Sequence, residues 1–429
     1  MVWFPKRTVE VFRHFLCARE SLDPQRLLVA LHRRADMHGQ PPPAAVMGDW
    51  LGLDVVIAPS VDITDSSPQE FMNLRLWDAD PRATSGMRVG GGWFGCLRYP
   101  RSVDAQPVAY QGWTDEVIVL DEYGWWYESL RLSEVPKHIS SQLGQAMTST
   151  AVTPWEVRWT APDRDHHQRS VNACLEAITA GEIYQACVVT HFLGRLSGHP
   201  VDLFSDVAAA TQPAKAAYLS GGWGAIASFS PELFLRREGC TVESRPIKGT
   251  IPRHLDPELL LRSDKDVAEN VMIVDLVRND LGKVADTGTV RVSELLRVVE
   301  APAVWHLVST VRASIDPAVT NAALIAAAFP PASVTGTPKR RAQQLTAAWE
   351  PHKRGIYCGA VGICSPIAGL DLNVAIRTVE ISGAGACSLG VGGGITSDSR
   401  PAGEWDECMV KASSIVDRTT TGGRTQAAS

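Results

Sequence analysis

The sequence predicts an α+β fold with large antiparallel β-sheets flanked by helices. Short apolar runs that suit strands are separated by Gly, Pro and Asp through most of the first 130 residues, and again over residues 215–250. Longer runs with apolar residues at helical spacing lie between and after these regions. Grouped strands and grouped helices are typical of α+β proteins, whereas regular alternation would indicate βαβ units.

The amino-terminal part begins with a helix and continues as strands. Residues 24–34 have helical periodicity, and the proline-rich run at 41–45 predicts a loop. Strand-like runs follow at 53–59, 91–99 and 116–130. We expect an amino-terminal subdomain over residues 1–150 and a connection between two halves of the chain within the Ser-, Thr- and Pro-rich stretch 136–162.

The remaining sequence, residues 151–418, contains the candidate functional residues. A helix is predicted from about Asp163 to near Gly181, where glycine favours a helix end. The other elements predicted from periodicity are a strand at 183–196 and helices at 266–281, 340–350 and 403–416. The last eleven residues, 419–429, are small and polar, so we expect a disordered tail.

Composition excludes several classes of protein. Charged residues make up 21% of the chain and the net charge is -6, so no global basic field favours nucleic acid, and a small-molecule or protein partner is expected. The nine cysteines are scattered without CxxC spacing, which argues against a disulfide framework and a structural zinc site. No apolar run reaches the roughly 18 residues that span a bilayer. We expect a soluble, cytoplasmic protein without a membrane segment.

Acidic residues on two predicted helices could hold a hard cation. Glu269 shares a helix face with apolar residues and should point inward, where a carboxylate needs a cation or a donor. On the last helix, Glu404, Glu407 and Lys411 fall at i, i+3 and i+7 on one face. Glutamates from two helices would suit Mg²⁺, which prefers oxygen ligands. A salt bridge to a buried arginine for Glu269, and a solvated face for the last helix, remain the alternatives.

Two further stretches could contribute to a small-molecule site. The run "GVGGG" at 390–394 lies between a predicted strand and a predicted helix, where backbone N–H groups could approach an anion. Its spacing fits neither the dinucleotide fingerprint nor the P-loop, so a nucleotide is not expected. In "RPIKGT", Lys248 stands at a strand end and could be a nucleophile if its environment lowers its pKa. A lysine on a loop is more often simply solvated.

Taken together, these stretches resemble the chorismate-utilising enzymes, a family that includes anthranilate synthase component I, aminodeoxychorismate synthase component I, and the isochorismate and salicylate synthases. The resemblance covers roughly residues 163–418. It is carried, in the family's order, by the motifs "GEIYQ", "SPELF", "RPIKGT", "DKDVAENVMIVDLVRNDLGKV", "HLVSTV", "FPPASVTGTPKRRA", "RGIYCGAVG", "AIRT", "GGGITSDS" and "EWDECMVKA".

The resemblance implies an anthranilate synthase component I-like fold of two intertwined subdomains, with a chorismate pocket between them. It implies that Glu269 and Glu407 hold Mg²⁺ and that His306 lies beside the substrate ring. Two threonines, Thr250 and Thr335, fall in segments that border the pocket. The family positions that bind the two carboxylates of the substrate correspond to Tyr357, Arg377, Gly392, Gly393, Gly394 and Lys411.

Two positions, Gln185 and Lys248, distinguish the branches of the family. Gln185 stands where isochorismate and salicylate synthases carry a water-activating lysine, so it marks an ammonia user. Lys248 stands where aminodeoxychorismate synthases carry a nucleophilic lysine and anthranilate synthases carry alanine, and Glu232 matches the acid/base. The resemblance therefore implies conversion of chorismate and ammonia to 4-amino-4-deoxychorismate, on the way to 4-aminobenzoate. Because no cysteine lies in a Gly-x-Cys-x-Gly context, the glutamine amidotransferase that supplies ammonia should be a separate chain.

Two rivals remain, namely anthranilate synthase component I and a catalytically silent relative that acts as a metabolite-binding or scaffold subunit. The sequence also departs from the family in places. Pro331 and Ala332 stand where relatives usually carry glycines, and Thr337 replaces a usual alanine, so this loop should be stiffer. The amino-terminal part lacks a clear "LLES" stretch, which puts tryptophan binding in doubt.

Overall fold

The computed structural model describes residues 11–74, 88–148 and 153–418, so the predicted tail at 419–429 lies outside the described residues. Two short 3-10 helices span Arg19–Ser21 and Ala332–Val334. The α-helices within the described ranges are α1 (Pro24–His38), α2 (Lys137–Thr148), α3 (Arg164–Thr179), α4 (Pro200–Thr211), α5 (Glu258–Arg262), α6 (Asp264–Gly282), α7 (Asn321–Ala328), α8 (Lys339–Trp349) and α9 (Pro401–Val416).

The strands of the described ranges belong to two sheets, and the pairings within both are antiparallel. In chain order the strands are β1 (Phe12–Cys17), β2 (Ala44–Trp50), β3 (Leu53–Ala58), β4 (Thr64–Ser66), β5 (Gly92–Leu97), β6 (Ala109–Thr114), β7 (Glu116–Asp121), β8 (Gly124–Ser129), β9 (Glu156–Thr160), β10 (Gln185–Ser197), β11 (Lys215–Gly221), β12 (Gly224–Ser230), β13 (Leu233–Glu238), β14 (Thr241–Arg245), β15 (Ile247–Pro252), β16 (Arg291–Glu300), β17 (Val304–Ser314), β18 (Gly336–Thr337), β19 (Ala360–Ser365), β20 (Gly369–Val374), β21 (Thr378–Ser382) and β22 (Ala386–Ile395).

Sheet A has twelve strands in the order β1-β8-β7-β3-β2-β11-β12-β21-β22-β10-β18, with β9 also pairing with β10. Sheet B has ten strands in the order β15-β17-β14-β13-β20-β19-β5-β6-β4, with β16 also pairing with β17. Large antiparallel sheets with flanking helices confirm the predicted α+β class. Both sheets combine strands from before and after residue 150, because β2 pairs with β11 and β5 pairs with β19. The division at residue 150 stays a prediction.

The core is arranged in layers. One face of sheet A packs on helices through residues such as Ile57 and Leu28, and its other face packs on sheet B through residues such as Val56 and Ile363. The outer face of sheet B is covered by α6 and α7, for example at Val277 and Leu324. None of the helices in the described ranges combines the length and apolar character that crossing a bilayer requires.

The stretch 136–162 is not the simple connection that its composition predicts. It contains α2 and β9, and β9 pairs with β10 in sheet A. Helix α2 buries Ile139, Leu143 and Ala146, which recur at helical spacing between serines and glutamines and pack in the same cluster as α1. Because serines and glutamines lie between these apolar residues, the apolar face of α2 was not recognised in the sequence. Helices α4 and α7 were likewise not predicted.

A buried ionic cluster joins the two sheets. Lys215 on β11 of sheet A lies 2.7 Å from Asp371 on β20 of sheet B, and Arg236 on β13 lies 2.8 Å from the same carboxylate. The Lys215 ammonium also stands 4.4 Å from the centre of the Trp50 ring. Burial lowers the pKa of Lys215 to about 8, although Asp371 opposes this shift. These ion pairs therefore connect a strand of sheet A to strands of sheet B at one position.

Candidate active site

Three of the predicted residues converge around Gly394. A Cβ atom added there would collide with Nε2 of Gln185, and would lie 3.0 Å from Nζ of Lys248 and 3.3 Å from Oε2 of Glu269. These side chains come from β10, β15 and α6, and Gly394 lies on β22. Because glycine has no side chain, it leaves the space into which all three point. The structure therefore brings an amine, an amide and a carboxylate into one small volume.

A second group surrounds the neighbouring Gly393. A Cβ atom built there would lie 2.9 Å from Oε2 of Glu404, and 4.0 Å from both Oε1 of Glu407 and Nζ of Lys411. Lys411 is 2.6 Å from Glu407 and donates a 3.0 Å hydrogen bond to the carbonyl of Gly392. Burial alone would lower the pKa of Lys411, but Glu407 raises it overall. Lys411 therefore stays charged beside the glycines.

The carboxylates of α6 and α9 share one cation in this structure. Lys265 Nζ lies 3.0 Å from Glu404 and 3.9 Å from Glu269, so the buried-arginine alternative for Glu269 is not what the described residues show. Burial raises the pKa of Glu269, and its Oε1 is buried without a hydrogen-bond partner in the part of the chain described. Glu404 is only 4% exposed, so the solvated-face alternative is wrong for this residue. The sequence placed Glu404 on this face but gave it no role, and it did not single out Lys265.

The glycine run lies inside a strand, at its carboxyl end and before the last helix, and does not form a separate loop between the two elements. Residues 390–394 belong to β22 and pair with β10 along their length. On the other edge of β22, strand β21 pairs only with residues 387–389. Among the described strands, none pairs with that edge over the glycines, and the carbonyl of Gly392 accepts the hydrogen bond from Lys411.

Glu232 is a buried carboxyl group beside this site. It is 3% exposed, Ser333 donates a hydrogen bond to it, and the backbone N–H of Ile247 lies 3.4 Å from its Oε1. Burial raises the pKa of Glu232 to about 7, although Ser333 and the charge of Lys248 oppose this shift. The group can therefore carry a proton near neutral pH. Ser333 was not predicted as a site residue, because its link to Glu232 spans a hundred residues of sequence.

The loop that carries Ser333 is held in place by two buried cations. Lys339 pairs with Asp280 of α6 and donates 2.9 Å hydrogen bonds to the carbonyls of Ala328 and Pro330. Arg354 donates a 2.7 Å hydrogen bond to the carbonyl of Val334. The loop is thereby tied to the helix that carries Glu269.

The predicted pocket residue Thr335 bonds to β10 through its backbone, whereas its side chain bonds within its own loop. Its hydroxyl donates to the carbonyls of Pro331 and Ala332, both at 3.1 Å, and is therefore used within its own loop. Its carbonyl accepts a 2.8 Å hydrogen bond from the N–H of Cys187 on β10. Thr335 thus fixes the loop against the strand that begins with Gln185.

His306 and Thr250 form a pair on neighbouring strands of sheet B. Their Nδ1 and Oγ1 atoms are 2.8 Å apart, whereas Nε2 of His306 is buried without a partner among the described residues. Burial lowers the pKa of His306 to about 4, so the ring is neutral at pH 7. Asn270, next to Glu269, donates hydrogen bonds to the carbonyls of Leu307 and Lys248, which links this pair to the Gly394 group.

Arg377 and Tyr357 complete the predicted set. Burial lowers the pKa of Arg377, and within the described ranges no carboxylate lies in salt-bridge distance of its guanidinium group. Its charge is therefore available to an anionic ligand. Tyr357 is 6% exposed, and its ring fills the space over Gly390, where a Cβ atom would collide with it. The structure brings the predicted residues together, but their individual roles stay predictions.

The family of this chain follows from comparison with known proteins. A model of the chorismate binding enzyme family matches residues 95–417, which include the residues of the site. The chain belongs to the chorismate binding enzyme family. The resemblance inferred from the motifs is therefore confirmed.

Curated relatives of this chorismate binding enzyme carry two related names. The chain is 37% identical over 278 residues to aminodeoxychorismate synthase component 1 of Klebsiella aerogenes, an alignment that covers 63% of this chain and 61% of the relative. It is 37% identical over 260 residues to anthranilate synthase component 1 of Thermus thermophilus, covering 59% of this chain and 56% of the relative. The chain thus spans about three fifths of the length of these relatives.

Solved structures support the fold. A menaquinone-specific isochorismate synthase from Escherichia coli aligns with a TM-score of 0.71 at 18% identity, covering 95% of this chain and 94% of that protein. Anthranilate synthase component I from Streptococcus pneumoniae aligns with a TM-score of 0.66 at 23% identity, covering 83% and 92%. The anthranilate synthase component I-like fold predicted for this chorismate binding enzyme is confirmed.

Proposed function

We propose that this chorismate binding enzyme is the synthase subunit of an aminodeoxychorismate synthase, which converts chorismate and ammonia to 4-amino-4-deoxychorismate for 4-aminobenzoate synthesis. The observation that carries the proposal is the position of the Lys248 amine, which shares the space in front of Gly394 with Gln185 and Glu269. A lysine at the centre of a pocket suits a nucleophile, whereas a purely solvated lysine would point outward. The name of the Klebsiella aerogenes relative supports the same assignment.

The proposed chemistry proceeds in two displacements. The amine of Lys248 forms a bond to C2 of chorismate, the ring double bond shifts, and the C4 hydroxyl leaves as water after Glu232 donates a proton, which Glu232 regains from the new C2 amine. Ammonia then bonds to C4, the double bond shifts back, and the bond between C2 and Lys248 breaks. Covalent catalysis of this kind replaces one difficult displacement with two easier ones.

Glu232 suits the role of the acid in this scheme. A general acid works best when its pKa lies near the working pH, and burial raises the pKa of Glu232 to about 7. The positive charge of Lys248 lowers the pKa of Glu232 against the larger effect of burial, so the two groups influence each other electrostatically. His306 is neutral at pH 7, so it would serve as a hydrogen-bonding partner rather than as a charged clamp.

The residues present fit a Mg²⁺ ion. The Oε1 atom of Glu269, which has no hydrogen-bond partner among the described residues, is a hard oxygen donor, and the Lys265 ammonium near Glu269 and Glu404 supports a place for positive charge here. The described residues contain no cluster of three or more protein ligands, so an ion held here would complete its coordination with waters and substrate oxygens. Glu269 and Glu407 would hold Mg²⁺, and the ion would neutralise the ring carboxylate of the substrate.

Cations of the protein would position the substrate carboxylates. Arg377 has no carboxylate partner among the described residues, and Lys411 lies beside the open edge of the glycine strand. Ammonia would come from a separate glutamine amidotransferase chain, because the sequence has no cysteine in a Gly-x-Cys-x-Gly context. We further propose a cytoplasmic location, where the nine cysteines would stay reduced.

The test incubates the purified chain with chorismate, Mg²⁺ and ammonium, and separates the products by chromatography with mass detection. We expect 4-amino-4-deoxychorismate, and loss of this product in Lys248→Ala with no loss in Lys353→Ala, which removes an exposed lysine. Full activity of Lys248→Ala would refute the covalent role. Anthranilate with pyruvate would instead assign an anthranilate synthase, and no product, even with a glutaminase added, would assign a silent subunit.

A further inference from the structure

Two buried cysteines lie next to each other beside the candidate active site. Cys187 is 4% exposed and Cys358 is fully buried, and the Cys358 thiol donates a hydrogen bond to the sulfur of Cys187. They are 171 positions apart in sequence, so only the fold brings them together. Neither thiol has a part in the chemistry proposed above.

Cys187 faces the pocket. It stands two residues after Gln185 on β10, so both side chains are on the same face of the strand. Its register partner on β22 is Gly394, the residue around which Lys248, Gln185 and Glu269 converge. The intervening Ala186 and Val188 pack on the opposite side, in a cluster with residues of α3 and α8. The Cys187 side chain therefore lies on the same side of the sheet as the groups that surround Gly394.

Cys358 is placed to respond to a change at Cys187. It lies in a tight turn with a φ of 65°, directly after the pocket residue Tyr357, and its N–H donates to the carbonyl of Ala375. Its side chain is packed in the same apolar cluster as Cys187. A bond between the two sulfurs would join the strand of Gln185 to the turn of Tyr357.

We propose that Cys187 and Cys358 are a thiol modification site, in which hydrogen peroxide oxidises Cys187 and Cys358 then closes a disulfide. The Cys187 sulfur attacks one peroxide oxygen, the O–O bond breaks, and a sulfenic acid and one water form. The Cys358 sulfur then attacks the Cys187 sulfur, its proton goes to the departing hydroxyl, and a second water leaves. Two thiols and one peroxide give one disulfide and two waters, and an external dithiol reverses the change.

The charges around the pair fit this division of roles. The hydrogen bond from Cys358 lowers the pKa of Cys187, and Arg354, Lys248 and Lys411 contribute in the same direction against the effect of burial. Burial and the same hydrogen bond raise the pKa of Cys358. Cys187 therefore favours the thiolate that attacks peroxide, and Cys358 keeps the proton that it must give up only in the second step.

The experiment treats the full-length chain with hydrogen peroxide in a Cys240→Ser background, which removes an exposed thiol. Intact mass and peptide mapping without reduction should show the loss of two hydrogen atoms and a peptide that links Cys187 to Cys358. The loss should be absent in Cys187→Ser and Cys358→Ser, but retained in Cys387→Ser, which changes a buried cysteine at the other end of β22.

In Cys358→Ser we expect Cys187 to gain one oxygen that a sulfenic acid probe captures. Failure of the unmodified pair to link, while the chain remains folded and other cysteines gain oxygen, would overturn the proposal. So would a link that persists in either serine variant. The readout needs no turnover, so its outcome is independent of the proposed synthase activity.

Discussion

Replacing Glu232 with glutamine should stabilise the protein at neutral pH, although it removes the proposed acid. Burial raises the pKa of Glu232 from 4.5 to about 7, which means that ionising this group costs more in the folded state than in the unfolded state. A shift of about 2.5 units corresponds to about 3 kcal/mol of folding free energy. Because the side chain is only 3% exposed, solvent screening reduces this value little.

The sign and the pH window follow from proton linkage. Between the unfolded pKa of 4.5 and the folded pKa of about 7, the folded state binds more protons, so rising pH destabilises it. The penalty is complete above pH 7 and nearly absent at pH 4. Glutamine keeps the shape and the acceptor oxygen but cannot ionise. Glu232→Gln should therefore gain about 3 kcal/mol relative to wild type at pH 8 and a few tenths at pH 4.

Urea unfolding of both proteins at pH 4, 6 and 8 measures this difference directly. Glu238→Gln serves as the control, since it makes the same change at an exposed position of the strand that follows Glu232. The control should shift stability by no more than about 0.5 kcal/mol at any pH. Equal stability of Glu232→Gln and wild type at pH 8 would refute the argument that Glu232 is a buried, weakly ionised group. Product formation by the same variant should fall if Glu232 is the acid.

Three other substitutions test separate parts of the structure. Lys215→Met should cost about 3–5 kcal/mol in urea unfolding, because it removes one of two cations from the buried Asp371, and a loss below about 1 kcal/mol would contradict the role of this cluster. Glu269→Gln should raise the Mg²⁺ concentration for half-maximal activity roughly tenfold by removing a charged ligand, and an unchanged titration would place the metal elsewhere. Gly394→Ala should lower kcat/KM about a hundredfold, since its Cβ would lie 3.0 Å from Lys248 Nζ and would displace the side chains around it. Gly144→Ala is its control, because the new Cβ meets nothing within 4 Å and a helix interior gains about 0.5–1 kcal/mol from the change, with no loss of activity.

Local patterns predicted the elements whose apolar periodicity is uninterrupted. Helix α3 begins after Asp163, which caps it, and the long strand β10 follows where the apolar run indicated. Helix α2 was not predicted, because serine and glutamine residues lie between its apolar positions. The order of strands in the sheets could not be predicted, because partners such as β5 and β19 are far apart in sequence and no local signal specifies their pairing.

Local sequence patterns were equally unable to predict how the residues of the candidate site come together. Motifs identified Lys248, Gln185 and Glu269 individually, but their meeting point at Gly394 depends on four separate elements. The glycine run was recognised, yet its pairing with β10 was not, since no local signal specifies which strand is the partner. Contacts such as Ser333 with Glu232 join residues that share no helical or strand spacing, so only the folded structure shows them.

The first 150 residues contain none of the predicted site residues, yet they help to hold Glu232 in place. Strand β2 pairs with β11, whose Lys215 bonds to Asp371 through its side chain and to the amide of Asn373 through its carbonyl. Asn373 is the register partner of Leu233, the residue directly after Glu232, and the next residue on β20 donates its N–H to the Glu232 carbonyl at 3.0 Å. The position of the carboxyl group is therefore fixed through a continuous set of backbone and ionic contacts that starts in the amino-terminal strands. Packing of those strands therefore contributes to the candidate site through the sheet that they complete.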